Sequence, residues 1–396
     1  MVTVVGLSAD GALADADALR HADVVVGAPR HLALLAAVAG QERVPLPSPL
    51  RPGLEALLEE YADRRVVVLA SGDPLVSGIA TTLIDLLGAD RVEVVPAVSS
   101  VALARALMRW PAESCAVVSV VGRDAAAVLR EVAPGRRILV LSSDEHTPAE
   151  IATLLTRVGY GRSRLSVLGD LGTDAESRVE GVAETWSAHA PRLNIVAIEA
   201  IGPLAGVRAT ASWAAGLPDE AFEHDGQLTK RDLRASALAR LMPAPGQLLW
   251  DVGAGAGSVG IEWMRAHPSC RTVAVESDAA RAERIARNAA RLGVPALQVV
   301  TARAPDALAG LPAPDAIFIG GGATRDGVID ACLGALRPGG RLVVHGVTLE
   351  TESLLAALHG QYGGELTRIS VEQLDAIGTF RGWAPLRTVT QWALAR

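Results

Sequence analysis

The stretch "LLWDVGAGAGSVGIEW", residues 248–263, decides the fold of the second half of this 396-residue chain. It places four glycines in eight positions, between an apolar run that predicts a buried strand and a run that predicts a helix. Glycines at such a turn let the backbone approach a ligand at the carboxyl end of the strand, the usual binding edge of open α/β sheets. The stretch therefore predicts a nucleotide-like ligand.

Two ligand classes compete for this loop. Gly255, Gly257 and Gly260 form the G-x-G-x-x-G spacing of dinucleotide sites, which favours NAD. The same loop also reads D-x-G-x-G-x-G from Asp251, a spacing that favours S-adenosylmethionine (SAM). Glu276, at the end of the next predicted strand, can accept hydrogen bonds from ribose hydroxyls under either interpretation.

Three features favour SAM over NAD. Asp251 stands where dinucleotide sites usually carry an apolar residue, and its carboxylate can orient the loop and reach an ammonium group, which SAM has and NAD lacks. Residues 336–344, "LRPGGRLVV", predict a Pro-Gly turn before a late strand, a recurrent feature of SAM-dependent methyltransferases. Residues 315–322, "DAIFIGGG", predict a strand that ends in glycines and leaves room for a substrate.

The composition excludes several function classes. A net charge of −7, with no long basic run, argues against nucleic acid or an anionic membrane as the main partner. The sequence has no apolar run of membrane-spanning length and no signal-peptide pattern at its start, so we expect a cytoplasmic protein. Cys115, Cys270 and Cys332 form no C-x-x-C pair, so neither a disulfide framework nor a metal site is predicted.

Short β-branched runs alternate with helical Ala/Leu patterns in both halves, which predicts an α/β class with largely parallel sheet. The pattern breaks at a segment rich in Gly and Pro, and a second strand and helix series then begins. The predicted organisation is a first domain over residues 1–203, a linker over 204–218 and a second domain over 219–396, with a doubly wound, Rossmann-like sheet in the second domain.

The second half resembles the class I SAM methyltransferases, and within them the group of cobalamin biosynthesis. The resemblance lies in "DGQLTKRDLRASALARL", "DVGAGAGSVGIEW", "RAPDAL" and "DAIFIGGG". Arg303 departs from it, because an acidic residue often binds the adenine amino group there, so we expect backbone groups around Ala304 to recognise adenine. Together with Asp251, the SAM contacts that the resemblance implies are Thr229, Gly253, Ala254, Gly255, Ala256, Gly257, Glu276 and Ala304.

Five further side chains of the second half each have two interpretations. Lys230, Arg231 and Arg234 follow Thr229 on a predicted helix and form either a solvated face or contacts to carboxylates of a tetrapyrrole substrate. His345 and His224 flank the expected substrate edge, where they serve either the structure or proton transfer.

The first half resembles the tetrapyrrole methylases, a two-lobed SAM-binding fold. The resemblance lies in "VVGLSADG", "VVVGAPRHL", "VVVLASGDPLVSGIATTL" and "VVPAVSSVALARALMRWP", which occur in that order. Many members open with G-x-G-P-G-D, and this chain departs from that pattern in the segment from Gly6 to Asp10. The run "RLNIVAIEA" resembles the segment that closes over the adenosine, which implies a role for Asn194. The SAM contacts that this resemblance implies are Gly72, Asp73, Pro74, Leu75, Ser99 and Ser100.

Two such folds in this order resemble the fused methyltransferases of cobalamin biosynthesis. The resemblance implies methylation of precorrin-6B at C5 by the first domain and at C15 by the second, with decarboxylation of the ring C acetate, to give precorrin-8. It also implies one SAM site per domain, a small-molecule tetrapyrrole substrate and a homo-oligomer, and no catalytic acid–base pair is predicted. The alternatives are methylation of another acceptor, with the first half as a substrate module, and an NAD-binding dehydrogenase or sensor.

Overall fold

The computed structural model describes residues 1–202 and 211–396, so residues 204–210 of the predicted linker lie outside the described residues. Two compact units are present. The first contains Met1–Arg123 and Gly135–Ile201, and the second contains Asp124–Pro134 and the described part of Gly202–Arg396. Every helix among the described residues is too short or too polar to cross a bilayer.

The first lobe of the first unit is a parallel five-stranded sheet, as its near-continuous apolar runs predict. The strand order is β3-β2-β4-β1-β5, and the carboxyl ends of the neighbouring inner strands β4 and β1 are adjacent. Its elements are β1 (Val2–Leu7), α1 (Ala16–Arg20), β2 (Val24–Gly27), α2 (Pro29–Ala33), β3 (Glu42–Pro45), α3 (Leu50–Glu60), β4 (Val66–Ser71), α4 (Ile79–Leu87) and β5 (Val92–Val95).

The second lobe of the first unit is a mixed five-stranded sheet of order β6-β7-β10-β8-β9. Only the β6–β7 pair is parallel, and the other pairs are antiparallel. Its elements are α5 (Ser100–Met108), β6 (Cys115–Ser119), β7 (Arg137–Leu141), α6 (Thr147–Arg157), β8 (Arg164–Gly169), β9 (Ser177–Val182) and β10 (Asn194–Glu199). Together, the two sheets confirm the predicted two-lobed fold.

The second unit contains a seven-stranded sheet of order β13-β12-β11-β14-β15-β19-β16. The five strands from β13 to β15 are parallel, and β19 runs antiparallel between β15 and β16. The order reverses beside β11, as in the predicted doubly wound sheet. The elements up to β15 are α7 (Arg231–Leu241), β11 (Leu248–Val252), α8 (Ser258–Ala266), β12 (Arg271–Glu276), α9 (Ala279–Arg291), β13 (Gln298–Thr301), β14 (Ala316–Ile319), α10 (Val328–Ala335) and β15 (Arg341–Gly346).

The last fifty residues add antiparallel structure that the sequence analysis does not predict. A two-stranded hairpin, β17 with β18, stands apart from the main sheet and exposes four large apolar side chains. These are Leu374, Ile377, Phe380 and Trp383, each between 55% and 79% exposed. The elements here are α11 (Leu349–Tyr362), β16 (Glu365–Ile369), β17 (Glu372–Ile377), β18 (Phe380–Pro385) and β19 (Val389–Ala395).

Candidate ligand-binding sites

The glycine loop of the second unit requires glycine for steric reasons. Gly253 has a φ of +68°, and a Cβ atom there would lie 2.7 Å from the carbonyl oxygen of Gly321. Gly255 has a φ of +59°, and its N–H donates to Glu276 Oε2 over 2.9 Å. The loop therefore runs close to the strand ends on both sides of β11 and leaves its backbone open to a ligand.

The Glu276 carboxylate is held in place at the carboxyl end of β12. Its second oxygen, Oε1, accepts a hydrogen bond from the N–H of Asp278 over 3.0 Å. Only 5% of the residue is exposed, but it lines the cavity above the loop. Each carboxylate oxygen keeps a lone pair, so the group can accept hydrogen bonds from a pair of ribose hydroxyls.

Asp251 is placed differently from its predicted role. Its side chain is 1% exposed, and Oδ2 accepts a hydrogen bond from the N–H of Gly260 on α8 over 2.9 Å. Burial raises the pKa of this carboxyl to about 7, and the nearby charge of Glu276 adds to the effect. Asp251 therefore joins the end of β11 to α8, and it is not among the residues that line the cavity.

The cavity of the second unit, which we call the second cavity, has a volume of about 630 Å³. Its lining brings together six of the predicted site residues, namely Thr229, Lys230, Gly253, Gly255, Glu276 and Ala304. Arg303 and His345 also line it. Four other predicted residues, Ala254, Ala256, Gly257 and Arg231, lie outside the lining. Gly257 instead packs against α9, because a Cβ atom there would lie 2.7 Å from a side-chain carbon of Ile285.

The position of Arg234 contradicts both interpretations given for this residue, because its side chain is buried and reaches neither solvent nor the cavity. It is 0% exposed, and its Nε donates to Glu262 Oε1 over 2.6 Å. Its two Nη groups donate to the carbonyl oxygens of Thr229 and Leu217. A buried guanidinium with all of these partners is part of the folded scaffold. Lys230 differs, since it lines the cavity while its Nζ lies 3.5 Å from Asp219 Oδ2.

The two candidate histidines differ in burial and in their position relative to the cavity. His345 is 7% exposed and lines the cavity, with its Nε2 2.9 Å from the side-chain amide of Gln391. Burial lowers the pKa of His345 to about 4, so the ring is neutral at pH 7. His224 is exposed and accepts a hydrogen bond from the N–H of Gly226 through Nδ1, outside the lining.

The first unit contains a cavity of its own, of about 700 Å³, which we call the first cavity. Gly72, Ser100 and Asn194 line it. Gly72 has a φ of +58°, and a Cβ atom there would lie 2.8 Å from Ser99 Cα. The two predicted ligand segments therefore pack directly against each other. Four of the predicted residues, Asp73, Pro74, Leu75 and Ser99, lie outside the lining.

Two of those residues have local structural roles instead. Asp73 Oδ1 accepts a hydrogen bond from the N–H of Leu75 over 2.8 Å, which fixes the Gly-Asp-Pro turn. Ser99 Oγ accepts one from the N–H of Ala102 over 3.1 Å, which caps α5. The Asp10 carboxylate likewise accepts a bond within its own turn, from the N–H of Ala12.

The first cavity also contains a polar cluster that the sequence analysis missed. Ser71 Oγ lies 3.0 Å from His31 Nε2 and accepts a 3.0 Å hydrogen bond from an Arg30 Nη group. Burial, with the charge of Arg30 as a smaller cause, lowers the pKa of His31 to about 4. The run "VVVGAPRHL" contains Arg30 and His31 directly after β2, so their position at a strand end was the signal that could have identified them.

Comparison with known proteins gives matches to both halves. Residues 3–186 match the family described as Tetrapyrrole (Corrin/Porphyrin) Methylases. Residues 220–396 match the family described as Precorrin methyltransferase domain. A precorrin-6Y C(5,15)-methyltransferase (decarboxylating) of Mycobacterium tuberculosis is 43% identical over 404 residues, which covers 100% of each chain.

Two shorter relatives each match less than half of the chain. A cobalt-precorrin-7 C(5)-methyltransferase of Salmonella typhimurium is 35% identical over 177 residues, which is 43% of this chain and 84% of its own. A probable cobalt-precorrin-6B C(15)-methyltransferase (decarboxylating) of Pyrobaculum calidifontis is 34% identical over 181 residues, 44% of this chain and 92% of its own.

Proposed function

Because the chain belongs to the family of precorrin-6Y C(5,15)-methyltransferases (decarboxylating), we propose that it methylates precorrin-6B at C5 and C15. The same reaction sequence removes the carboxyl group of the ring C acetate and gives precorrin-8. We assign C5 to the first unit, and C15 with the decarboxylation to the second. The two shorter relatives, one named for C5 and one for C15, support this division.

The observation that carries the proposal is the Glu276 carboxylate fixed beside the glycine loop, on the wall of the second cavity. This arrangement fits SAM, since Glu276 would hold the ribose while Gly253 and Gly255 let the backbone approach it. Thr229 and Ala304 line the same cavity and would complete the site. When bound, SAM supplies an electrophilic methyl group on its sulfonium.

The first unit would hold a second SAM molecule in its own cavity. Gly72 and Ser100 come from the two segments that pack against each other there, and Asn194 lines the same cavity. The amide of Asn194 is fixed in place, because its Oδ1 accepts a hydrogen bond from Ser142 Oγ and its Nδ2 donates to the carbonyl oxygens of Asp144 and Pro191. These residues would position the cofactor rather than transfer protons.

The main requirement of the methyl transfer is the alignment of the two reacting carbons. A meso carbon of a reduced tetrapyrrole is itself the nucleophile, and holding it in line with the methyl group can contribute roughly 7–11 kcal/mol. In the decarboxylation, the electron pair of the broken C–C bond passes into the conjugated macrocycle as CO₂ leaves. His345 is neutral at pH 7 and lines the cavity, so it can accept or donate a hydrogen bond without adding charge beside the substrate.

The test is the mass of the product that the intact chain makes from precorrin-6B and SAM. The expected product has gained two methyl groups and lost one carboxyl. Glu276→Ala should stop the C15 methylation and the loss of CO₂, and it should lower the number of SAM molecules bound per chain from two to one. The matched variant in the first unit, Gly72→Val, should instead stop the C5 methylation.

Addition of a single methyl group by the intact chain would contradict the proposal. Binding of only one SAM per wild-type chain would contradict the second site, and NADH binding would restore the dinucleotide alternative. A Glu276→Ala variant that still methylates C15 would contradict the role of Glu276 in binding SAM, on which the assignment rests.

The homo-oligomer and the cytoplasmic location are part of the same proposal. The four apolar side chains exposed on the β17–β18 hairpin support self-association, because a soluble monomer rarely exposes so many large apolar groups together. The three cysteines are free, and Cys270 and Cys332 are buried, which fits a reducing compartment.

A further inference from the structure

The charged residues that line the second cavity are predominantly cationic. Five of them are cations, and Glu276 is the one anion among the lining residues, all of which lie in the described part of the chain. The whole chain, by contrast, has a net charge of −7. The cavity is therefore locally positive on an acidic protein. The five cations are Lys230, Arg281, Arg303, Arg325 and Arg387.

Two of these cations already have carboxylate partners within the unit. Arg281 Nε donates to Asp225 Oδ2 over 2.9 Å, and Lys230 Nζ lies 3.5 Å from Asp219 Oδ2. For the other three arginines, no side-chain hydrogen bond and no carboxylate within 4.0 Å is found among residues 1–202 and 211–396. All three residues are exposed, so their guanidinium groups are open to contact with a ligand.

The sheet order assigns the three arginines to different sides of the glycine loop. Arg303 follows β13, on the Glu276 side, beside the expected adenine contact at Ala304. Arg325 follows β14, on the opposite side of β11. Arg387 precedes β19, and because β19 is antiparallel to β15, its amino end lies at the same edge as the carboxyl ends of the parallel strands.

The space between Arg325 and Arg387 is suited to a substrate. Gly320, Gly321 and Gly322 line the cavity at the end of β14, and a Cβ atom built on Gly321 or Gly322 would meet no atom within 4 Å. β14 and β19 are separated by β15 alone, so the strand ends next to the segments of Arg325 and Arg387 are roughly 10 Å apart along the sheet edge. That spacing suits two side chains of one macrocycle.

We propose that Arg325 and Arg387 bind two carboxylates of the tetrapyrrole substrate and so set which edge of the macrocycle enters the second unit. This inference rests on the proposed function, because it takes the acetate and propionate side chains of a precorrin as its ligands. A guanidinium binds a carboxylate through two parallel hydrogen bonds, which gives orientation as well as affinity. Of the basic residues singled out from the sequence, Arg234 is buried against Glu262 and Arg231 lies outside the lining, whereas Lys230 lines the cavity beside Asp219.

The carboxylates that these arginines bind should not include the one that leaves as CO₂. A cation on the departing carboxylate stabilises its negative charge in the ground state more than in the transition state, in which that charge moves into the macrocycle. The two arginines are therefore positioning residues, and they should affect the KM for the tetrapyrrole and not the kcat of C15 methylation.

The test uses Arg325→Gln, Arg387→Gln and the double variant in the full chain. Each single variant should raise the KM for precorrin-6B about tenfold in C15 methylation, and the double variant about a hundredfold. SAM affinity, measured by titration calorimetry, should stay within about twofold of wild type. Added salt should raise the KM of wild type more than that of the double variant, because the charges it screens are absent there.

Arg271→Gln is the matched control, since Arg271 is an exposed arginine at the opposite edge of the same sheet, at the start of β12. It should leave the KM unchanged. If wild type adds no methyl group at C15, the proposed function itself fails. If wild type is active, the inference is overturned by a KM within twofold of wild type in the double variant, or by a loss of SAM affinity that matches the change in KM.

Discussion

Asp251 is a buried carboxyl that holds the glycine loop against α8 and does not line the second cavity. The side chain accepts the N–H of Gly260 and thereby joins the end of β11 to the first turn of α8. Its pKa of about 7 means that the folded protein holds this proton far more tightly than an unfolded chain does. The stability that this proton provides is present below pH 4 and is lost as the pH rises through 7.

The stability of the Asp251→Asn variant, relative to that of wild type, should therefore increase as the pH rises. Between pH 5 and pH 8, we expect the free energy of unfolding of the variant to gain on that of wild type by on the order of 2–4 kcal/mol. The amide oxygen can still accept the Gly260 N–H, so the SAM affinity of the second unit should change less than about threefold. Asp251→Ala removes the acceptor and should destabilise the unit by about 1–3 kcal/mol.

Denaturant unfolding at several pH values and SAM titration measure both effects. Asp330→Asn, on an exposed position of α10, controls for the loss of one negative charge. A loss of SAM binding in Asp251→Asn that Asp330→Asn does not share would show that the carboxylate reaches the ligand after all.

The glycine loop between β11 and α8 is the element on which the second site depends. Gly253→Ala places a side chain at a φ of +68° and 2.7 Å from the backbone oxygen of Gly321, just after β14. We expect a loss of about 2–4 kcal/mol in the free energy of unfolding and at least a tenfold loss of SAM affinity in the second unit.

Gly339→Ala separates the effect of a positive φ from the effect of a close contact with the backbone. Gly339 has a φ of +74° in the Pro-Gly turn before β15, but a Cβ atom there meets no atom within 4 Å. The free energy of unfolding of this variant should fall by only about 1–2 kcal/mol, and its SAM affinity should stay unchanged. Equal effects of the two substitutions on SAM binding would mean that backbone conformation, and not the close approach to Gly321, governs the loop.

Three strands that the sequence analysis does not predict, β3, β17 and β18, share a physical cause. β3 is a four-residue edge strand without a buried residue, so it shows no apolar signal. β17 is exposed at every position, and β18 at most of them. Hydrophobic periodicity reports burial, so strands without a buried face escape it. The inner strands β4 and β11 have both faces in the core and were predicted within a few residues.

At the scale of the whole molecule, the β17–β18 hairpin is expected to mediate self-association. Phe380→Glu combined with Trp383→Glu should reduce the mass in solution to that of one chain, 41.0 kDa, because charges at the contact oppose burial. Light scattering after size exclusion measures this. Leu349→Glu, a 78% exposed position on α11, is the control and should leave the mass unchanged. A wild-type mass of one chain would contradict the oligomer, and an unchanged mass in the double variant would exclude the hairpin.

The division of the chain into units also depends on distant contacts. Asp124–Pro134 lies in the middle of the first half, yet it belongs to the second unit, where the indole of Trp213 donates to the carbonyl oxygen of Arg130 over 2.9 Å. Leu217, at the end of the predicted linker, is 2% exposed in the core of the same unit, and its N–H donates to Glu262. No local pattern in these segments indicates which core they join.

The sequence by itself determined the α/β class, the glycine loop after β11, the carboxylate of Glu276 at the next strand end, and the family. These are local signals, because strand burial, turn chemistry and motif spacing depend on neighbours in the chain. Only the tertiary structure decided that Arg234 is buried against Glu262 and that Asp251 faces α8. It also brought Arg325 and Arg387, from segments sixty residues apart, to one cavity, because the order of strands in a sheet is set by packing across the whole unit.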